Sequence, residues 1–206
     1  MSPTLRNGER ILRLLIGATV LLAVCTAGTA FNSDAAETVW LRDQAFKIAF
    51  AYRAPWRPVQ AIESATSHKV KWEAKGGGLV ATCYLQSYDN AKGKYWNASQ
   101  LVTNEKEIVA SAMRHMAVRL PRNRLISSQS STIDGQPVIF IVRDGEGDNL
   151  GKAVGGRSWL VITVWSHQWI NFECGSPIPY QFPGDPLVEV VEKEVYRIIR
   201  TLHFER

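Results

Sequence analysis

Residues Arg157 to Gly175 read R-S-W-L-V-I-T-V-W-S-H-Q-W-I-N-F-E-C-G. Two runs of β-branched and aromatic residues flank a short polar break at Ser166-His167-Gln168, which is the signature of a hairpin. Side chains alternate across a strand. Leu160, Ile162 and Val164 therefore share one face, and Trp159, Val161, Thr163 and Trp165 the other. On the return strand Ile170, Phe172 and Cys174 lie opposite Trp169, Asn171 and Glu173. A strand that is apolar on both faces must be covered on both. The stretch is thus expected to be central in a sheet with helices packed on it.

Outward from this hairpin, Pro137 to Val142 is a second run apolar on both faces. A turn at Ile133-Asp134-Gly135-Gln136 separates it from a serine-rich strand, Leu125 to Thr132. Between the two central runs, Asp144 to Gly156 reads as a glycine-rich loop. Phe46, Ile48, Phe50 and Tyr52 alternate as the first strand, which Pro55 and Pro58 are expected to end, because proline cannot donate to a ladder. Lys69 to Glu73 and Leu79 to Gln86 form a pair around Lys75-Gly76-Gly77-Gly78, and a loop is expected over residues 87–98. Ile108, Val109, Ala112, Met113, Met116, Ala117 and Leu120 recur at helical spacing after a cap at Thr103. A second helix begins at Asp185-Pro186 and buries Val188, Val191, Val195, Ile198, Ile199 and Leu202. Short connections favour antiparallel pairing. The expected fold is α+β, an antiparallel sheet of about six to seven strands covered by helices in an α/β/α sandwich.

The first thirty residues have the form of a secretory signal: Arg6, Arg10 and Arg13, then the apolar Leu14 to Gly28, then small residues up to Ala30. Cleavage is expected after Ala30, with Ala36 as the second choice. The same stretch can be read as an anchor through residues 14–31, or as a lipoprotein acylated at Cys25. Residues 31–45 are expected to be a tail and 46–206 a single domain of adequate size. Setting aside Arg6, Arg10, Arg13 and Glu9 leaves 21 basic against 18 acidic residues. That mild excess, in an exported chain without a stacking motif, speaks against nucleic acid. Cys83 and Cys174 are an even pair on the core side of their strands; a disulfide is expected in an oxidising compartment, two buried thiols being the alternative.

Several of these stretches together resemble the PsbP-like family, which includes exported bacterial proteins of the DcrB type. The likeness is carried by Phe46-x-Ile48-x-Phe50 with Pro55-Trp56, by Asp134-Gly135-Gln136-Pro137, by Ile170-x-Phe172-x-Cys174, and by Val195, Ile198, Ile199, Leu202 and Phe204. It implies the same α+β architecture over about residues 46–204. It also implies a binding or assembly role, since that fold has no common active site.

No catalytic constellation is visible. There is no Gly-x-Ser-x-Gly elbow and no nucleophilic cysteine signature. Asp144-x-Glu146-x-Asp148-Asn149 departs from a calcium loop at its sixth and twelfth positions, now Asn149 and Gly155. No metal or cofactor is therefore expected. The candidate partner surface is the basic set Arg114, Arg119, Arg122 and Arg124, suited to an acidic envelope protein or an anionic membrane surface. Tyr95 and Trp96 form a second candidate, in an aromatic loop. The expected function is an exported, non-enzymatic binding or assembly-accessory protein of the cell envelope. A small-ligand pocket near Trp159, Trp165 and Trp169 is the alternative, and a cryptic hydrolase the third reading.

Overall fold

Seven antiparallel strands, in the order β3-β4-β5-β9-β8-β7-β6, form the main sheet, and β1-β2-β10 form a smaller one. The computed structural model describes residues 37–59, 67–74, 77–89, 97–149, 152–177 and 186–206. The elements are β1 (Val39–Asp43), β2 (Ile48–Tyr52), β3 (Arg57–Val59), β4 (Ser67–Glu73), β5 (Leu79–Asp89), α1 (Ala98–Thr103), α2 (Glu105–Arg119), β6 (Arg122–Ile133), β7 (Gln136–Asn149), β8 (Lys152–Trp165), β9 (Gln168–Ser176), α3 (Pro186–Ile199) and β10 (His203–Phe204). The architecture is α+β with a seven-stranded antiparallel sheet, as expected.

The two faces of β8 divide the core as their alternation requires. Trp159 and Val161 join Phe172, Cys174, Phe140, Phe50 and the stripe Val191, Val195, Ile198 and Ile199 of α3. Leu160, Ile162 and Val164 join Ile139 and Ile141 beneath Leu101, Ile108 and Val109 of α1 and α2. One face of the main sheet is thus covered by α3 together with the small sheet, and the other by α1 and α2. The plain α/β/α sandwich needs that correction: the third layer is partly strand.

Three sequence expectations are corrected here. Val39–Asp43, assigned to a tail ending at 45, is a strand paired with β2 from Val39↔Tyr52 to Asp43↔Ile48. Arg57–Val59, expected to be barred from pairing, forms a ladder with β4 as the outermost strand, where a proline can leave its missing N–H on the open side. The glycine-rich stretch 144–156 is not a loop: β7 and β8 continue through it in register, Asp144↔Arg157 to Asn149↔Lys152. Glycine serves there for close approach. A Cβ on Gly145 would come within 2.3 Å of Met116 Cε and 2.6 Å of Leu120 Cδ1, so its absence seats the end of α2 on the sheet. A Cβ on Gly156 would lie 1.9 Å from the Ser176 carbonyl oxygen.

Smaller differences follow from local chemistry. The cap of the long helix is not Thr103. A short helix, α1, precedes it with Asn97 and Gln100 in a reciprocal capping box, and Asn104 stands between the two helices. The turns Asp134-Gly135 and Ser166-His167 have positive φ at both central residues, the geometry of two-residue hairpins. Residues 1–36, which include the expected signal, lie outside the described residues. No helix among the described residues is long and apolar enough to cross a membrane.

Candidate functional site

Cys83 and Cys174 stand directly opposite each other on β5 and β9 and are joined by a disulfide with Cα atoms 4.0 Å apart. The bridge is fully buried and locks two central strands. The alternative of two buried thiols is set aside.

Of the basic set, Arg114 is exposed on α2, and the side chain of Arg119 lies outside the described residues. Arg122 and Arg124 are not on the helix. They alternate along β6, where Arg122 pairs with Glu146 at 3.4 Å and Arg124 with Asp144 at 3.3 Å. Asp144, expected in a solvated loop, is 1% exposed and is also gripped by Arg157 through two bonds of 2.8 and 3.2 Å. Those bonds hold the Arg157 guanidinium above its usual basicity, the hydrogen bond to Asp144 contributing most. Tyr95 and Trp96 lie outside the described residues.

On the opposite face Arg143 is buried beneath α2. It donates to Ser158 Oγ, to the Ala112 carbonyl and to Glu173 Oε1, and Tyr84 donates to Glu173 Oε2. A buried charge with its donors satisfied in this way ties a helix to a sheet. Among the described residues no cluster of three or more His, Cys, Asp or Glu side chains could hold a metal.

The border strands differ in kind. β3 has three residues, one of them proline, both features that guard an edge. β6 has twelve residues and no proline. Among the described residues no strand pairs with its outer side. Exposed apolar side chains accompany its start: Leu125 and Ile126 on β6 and Val118 in the last turn of α2, 83% exposed. Arg122 and Arg124 lie beside them, 75% and 68% exposed.

At the far end of β6 a pocket of about 330 Å³ opens between the Asp134-Gly135 turn, Trp165 and the segment from His203 to Arg206. Asp134 Oδ2 accepts from the Phe204 backbone N–H at 3.0 Å and lies 2.7 Å from His203 Nδ1. Trp165 packs against Phe204 with ring centroids 5.4 Å apart. Gln136 is held by Thr163 and the Val164 carbonyl. The three tryptophans expected to share a pocket do not. Trp159 is in the core, Trp169 is on the opposite face bonded to Asn171, and only Trp165 borders this one. The link between His203 and Asp134 is not legible in the sequence, since 69 positions separate the two residues and no local motif connects them.

The Asp134 carboxyl is held below its ordinary value of 3.8, first by the Phe204 N–H and then by the charge of His203. A lowered folded-state value means the ionised form favours the folded state. This contribution is fully present above the ordinary carboxylate range and is lost as pH falls below it, through the folded value. The protection of the Phe204 amide, taken relative to its intrinsic exchange rate at each pH, is accordingly expected to fall in acid, and Asp134→Asn to remove that acid limb. A Phe204 protection that is flat over this range would contradict a stabilising role for the Asp134–Phe204 hydrogen bond.

No protein-family model matches the chain. No curated protein matches it in sequence. Among solved structures it is similar to cyanobacterial PsbP (CyanoP) from Synechocystis, with 12% identity over 86% of this chain and 98% of that one, at a TM-score of 0.49. A Bacteroides thetaiotaomicron protein is 15% identical over 81% of this chain and 48% of its own, at 0.43. A Pseudomonas aeruginosa protein of unknown function is 13% identical over 78% and 94%, at 0.42. The likeness is one of architecture, and nothing about ligand or partner is drawn from it.

Proposed function

We propose that this chain is an exported, non-catalytic binding domain of the cell envelope, and that its partner is a protein presenting an extended acidic segment to the β6 edge. The observation that carries this reading is the contrast between the two borders of the main sheet: β3 short and guarded, β6 long and open. An open edge offers a row of backbone donors and acceptors to an incoming strand. Arg114 supplies charge that favours an acidic one, and Arg122 and Arg124, 75% and 68% exposed beside their pairs with Glu146 and Asp144, keep donors on the surface. Export is supported by the signal-like first thirty residues and by the buried disulfide, which belongs to an oxidising compartment.

The test is site-resolved photo-crosslinking in cells. A crosslinker at Ser127 on β6 is expected to capture a discrete envelope protein, and one at Arg57 on β3 is not. Leu125→Lys with Ile126→Lys, both at exposed positions, places edge-guarding charges on the strand and is expected to abolish the capture. Equal capture from both edges, or capture indifferent to the lysines, would overturn the reading.

A further inference from the structure

The geometry points to a second binding site, independent of the β6 edge: the pocket at the Asp134 turn takes a small zwitterion with an apolar side chain, of the chemical class of an α-amino acid. It lies at the other end of β6, about 36 Å from Arg122 at strand rise. The pocket volume of about 330 Å³ falls at the small end of the range for small-molecule sites.

The lining of the pocket selects such a ligand. One wall is apolar, the pair Trp165 and Phe204 packed with their ring planes tilted 56° to each other. The rim carries one carboxylate, Asp134, and one guanidinium, Arg206, close enough to act on each other electrostatically. Asp134 uses Oδ2 for both the Phe204 N–H and His203, so a further donor would approach its other oxygen. Arg206 and Asp134 have opposite signs, and a ligand carrying a single charge would meet one of them as a like charge. A zwitterion meets both as partners: its ammonium at Asp134, its carboxylate at Arg206, its side chain on Trp165. His203 Nδ1 faces Asp134, which leaves Nε2 as the ring nitrogen available to a ligand carboxylate. Gln136, held by Thr163 and Val164, fixes the floor.

The experiment uses protein purified from an exporting host and follows the Trp165 indole and Phe204 amide by nuclear magnetic resonance. The probes are phenylalanine, phenylacetate and phenethylamine. Phenylalanine is expected to shift both resonances. Each single-charge probe is expected to bind about fivefold more weakly, the size of effect a partly exposed ion pair supports. Arg206→Ala should weaken phenylalanine by a similar factor and leave phenethylamine no weaker, since the variant removes the like charge that this probe meets. Asp134→Asn should do the reverse, but it also removes the carboxylate that holds Phe204, so Arg206→Ala decides. No shift with phenylalanine at about 20 mM, far above any useful affinity, would overturn the proposal. So would phenylacetate binding as tightly as phenylalanine, or an Arg206→Ala variant that binds phenylalanine like the parent.

Discussion

Cys83→Ala with Cys174→Ala is expected to destabilise the domain by about 4 kcal/mol, from the entropy that a closed loop of this length removes from the unfolded chain. The bridge spans 91 positions, which puts it near the upper end of that effect. For a domain of this size the loss corresponds to a fall in Tm of about 8–16 °C. It is read by thermal or urea unfolding of the parent and the double variant, and by reductant acting on the parent alone. The site itself makes the prediction sharp. Both residues are fully buried between Leu85, Phe172 and Trp159, so replacement by alanine also removes sulfur from a packed interior and pushes the same way. A Tm within about 2 °C of the parent would mean that the pair contributes nothing through loop closure.

Asp144→Asn is expected to cost about 3 kcal/mol, the lower end of what breaking a buried ion pair costs. The lower end applies because Arg157 keeps 24% of its side chain exposed and Arg124 keeps 68%, so neither cation is stranded in a dry interior. The companion variant separates charge from packing. Replacing the pair together, Asp144→Leu with Arg157→Met, is expected to recover most of the loss, since two apolar groups of similar volume leave no buried charge unpaired and only Arg124, 68% exposed and hydrated, without its carboxylate. Urea midpoints of the single and double variants, compared at equal slopes, measure both effects. If the double variant is as unstable as the single one, the role of Asp144 lies in its hydrogen bonds across β7 and β8 and not in charge.

These two sites differ in how far they could be read in advance. The cysteines were legible because strand alternation put each on a named apolar face, with Leu85 on one side and Phe172 on the other. Asp144 was not. It lies among Gly145, Gly147, Gly151, Gly155 and Gly156, and glycine-rich polar sequence has the composition of a loop. Ladder pairing and the grip of Arg157 override that local tendency. The basic set shows the same limit. Arg114 and Arg122 are close in sequence, but the chain turns at Pro121 and carries Arg122 and Arg124 onto a strand beside carboxylates.

What the sequence determined by itself is the pattern with short period: the two-faced central hairpin, the turns at Asp134-Gly135 and Ser166-His167, the amphipathic stripe of α3, and the partnership of two cysteines. Each follows from alternation, from residues that accept positive φ, or from spacing along one element. Tertiary structure alone decided the rest. It joined β1 and β10 to β2 from opposite ends of the domain, left β6 without an outer partner strand among the described residues while β3 was guarded, and brought Asp134, Trp165, His203 and Arg206 around one pocket. The reason is physical: those relations depend on which surfaces meet when the sheet is covered, and no local preference along the chain encodes them.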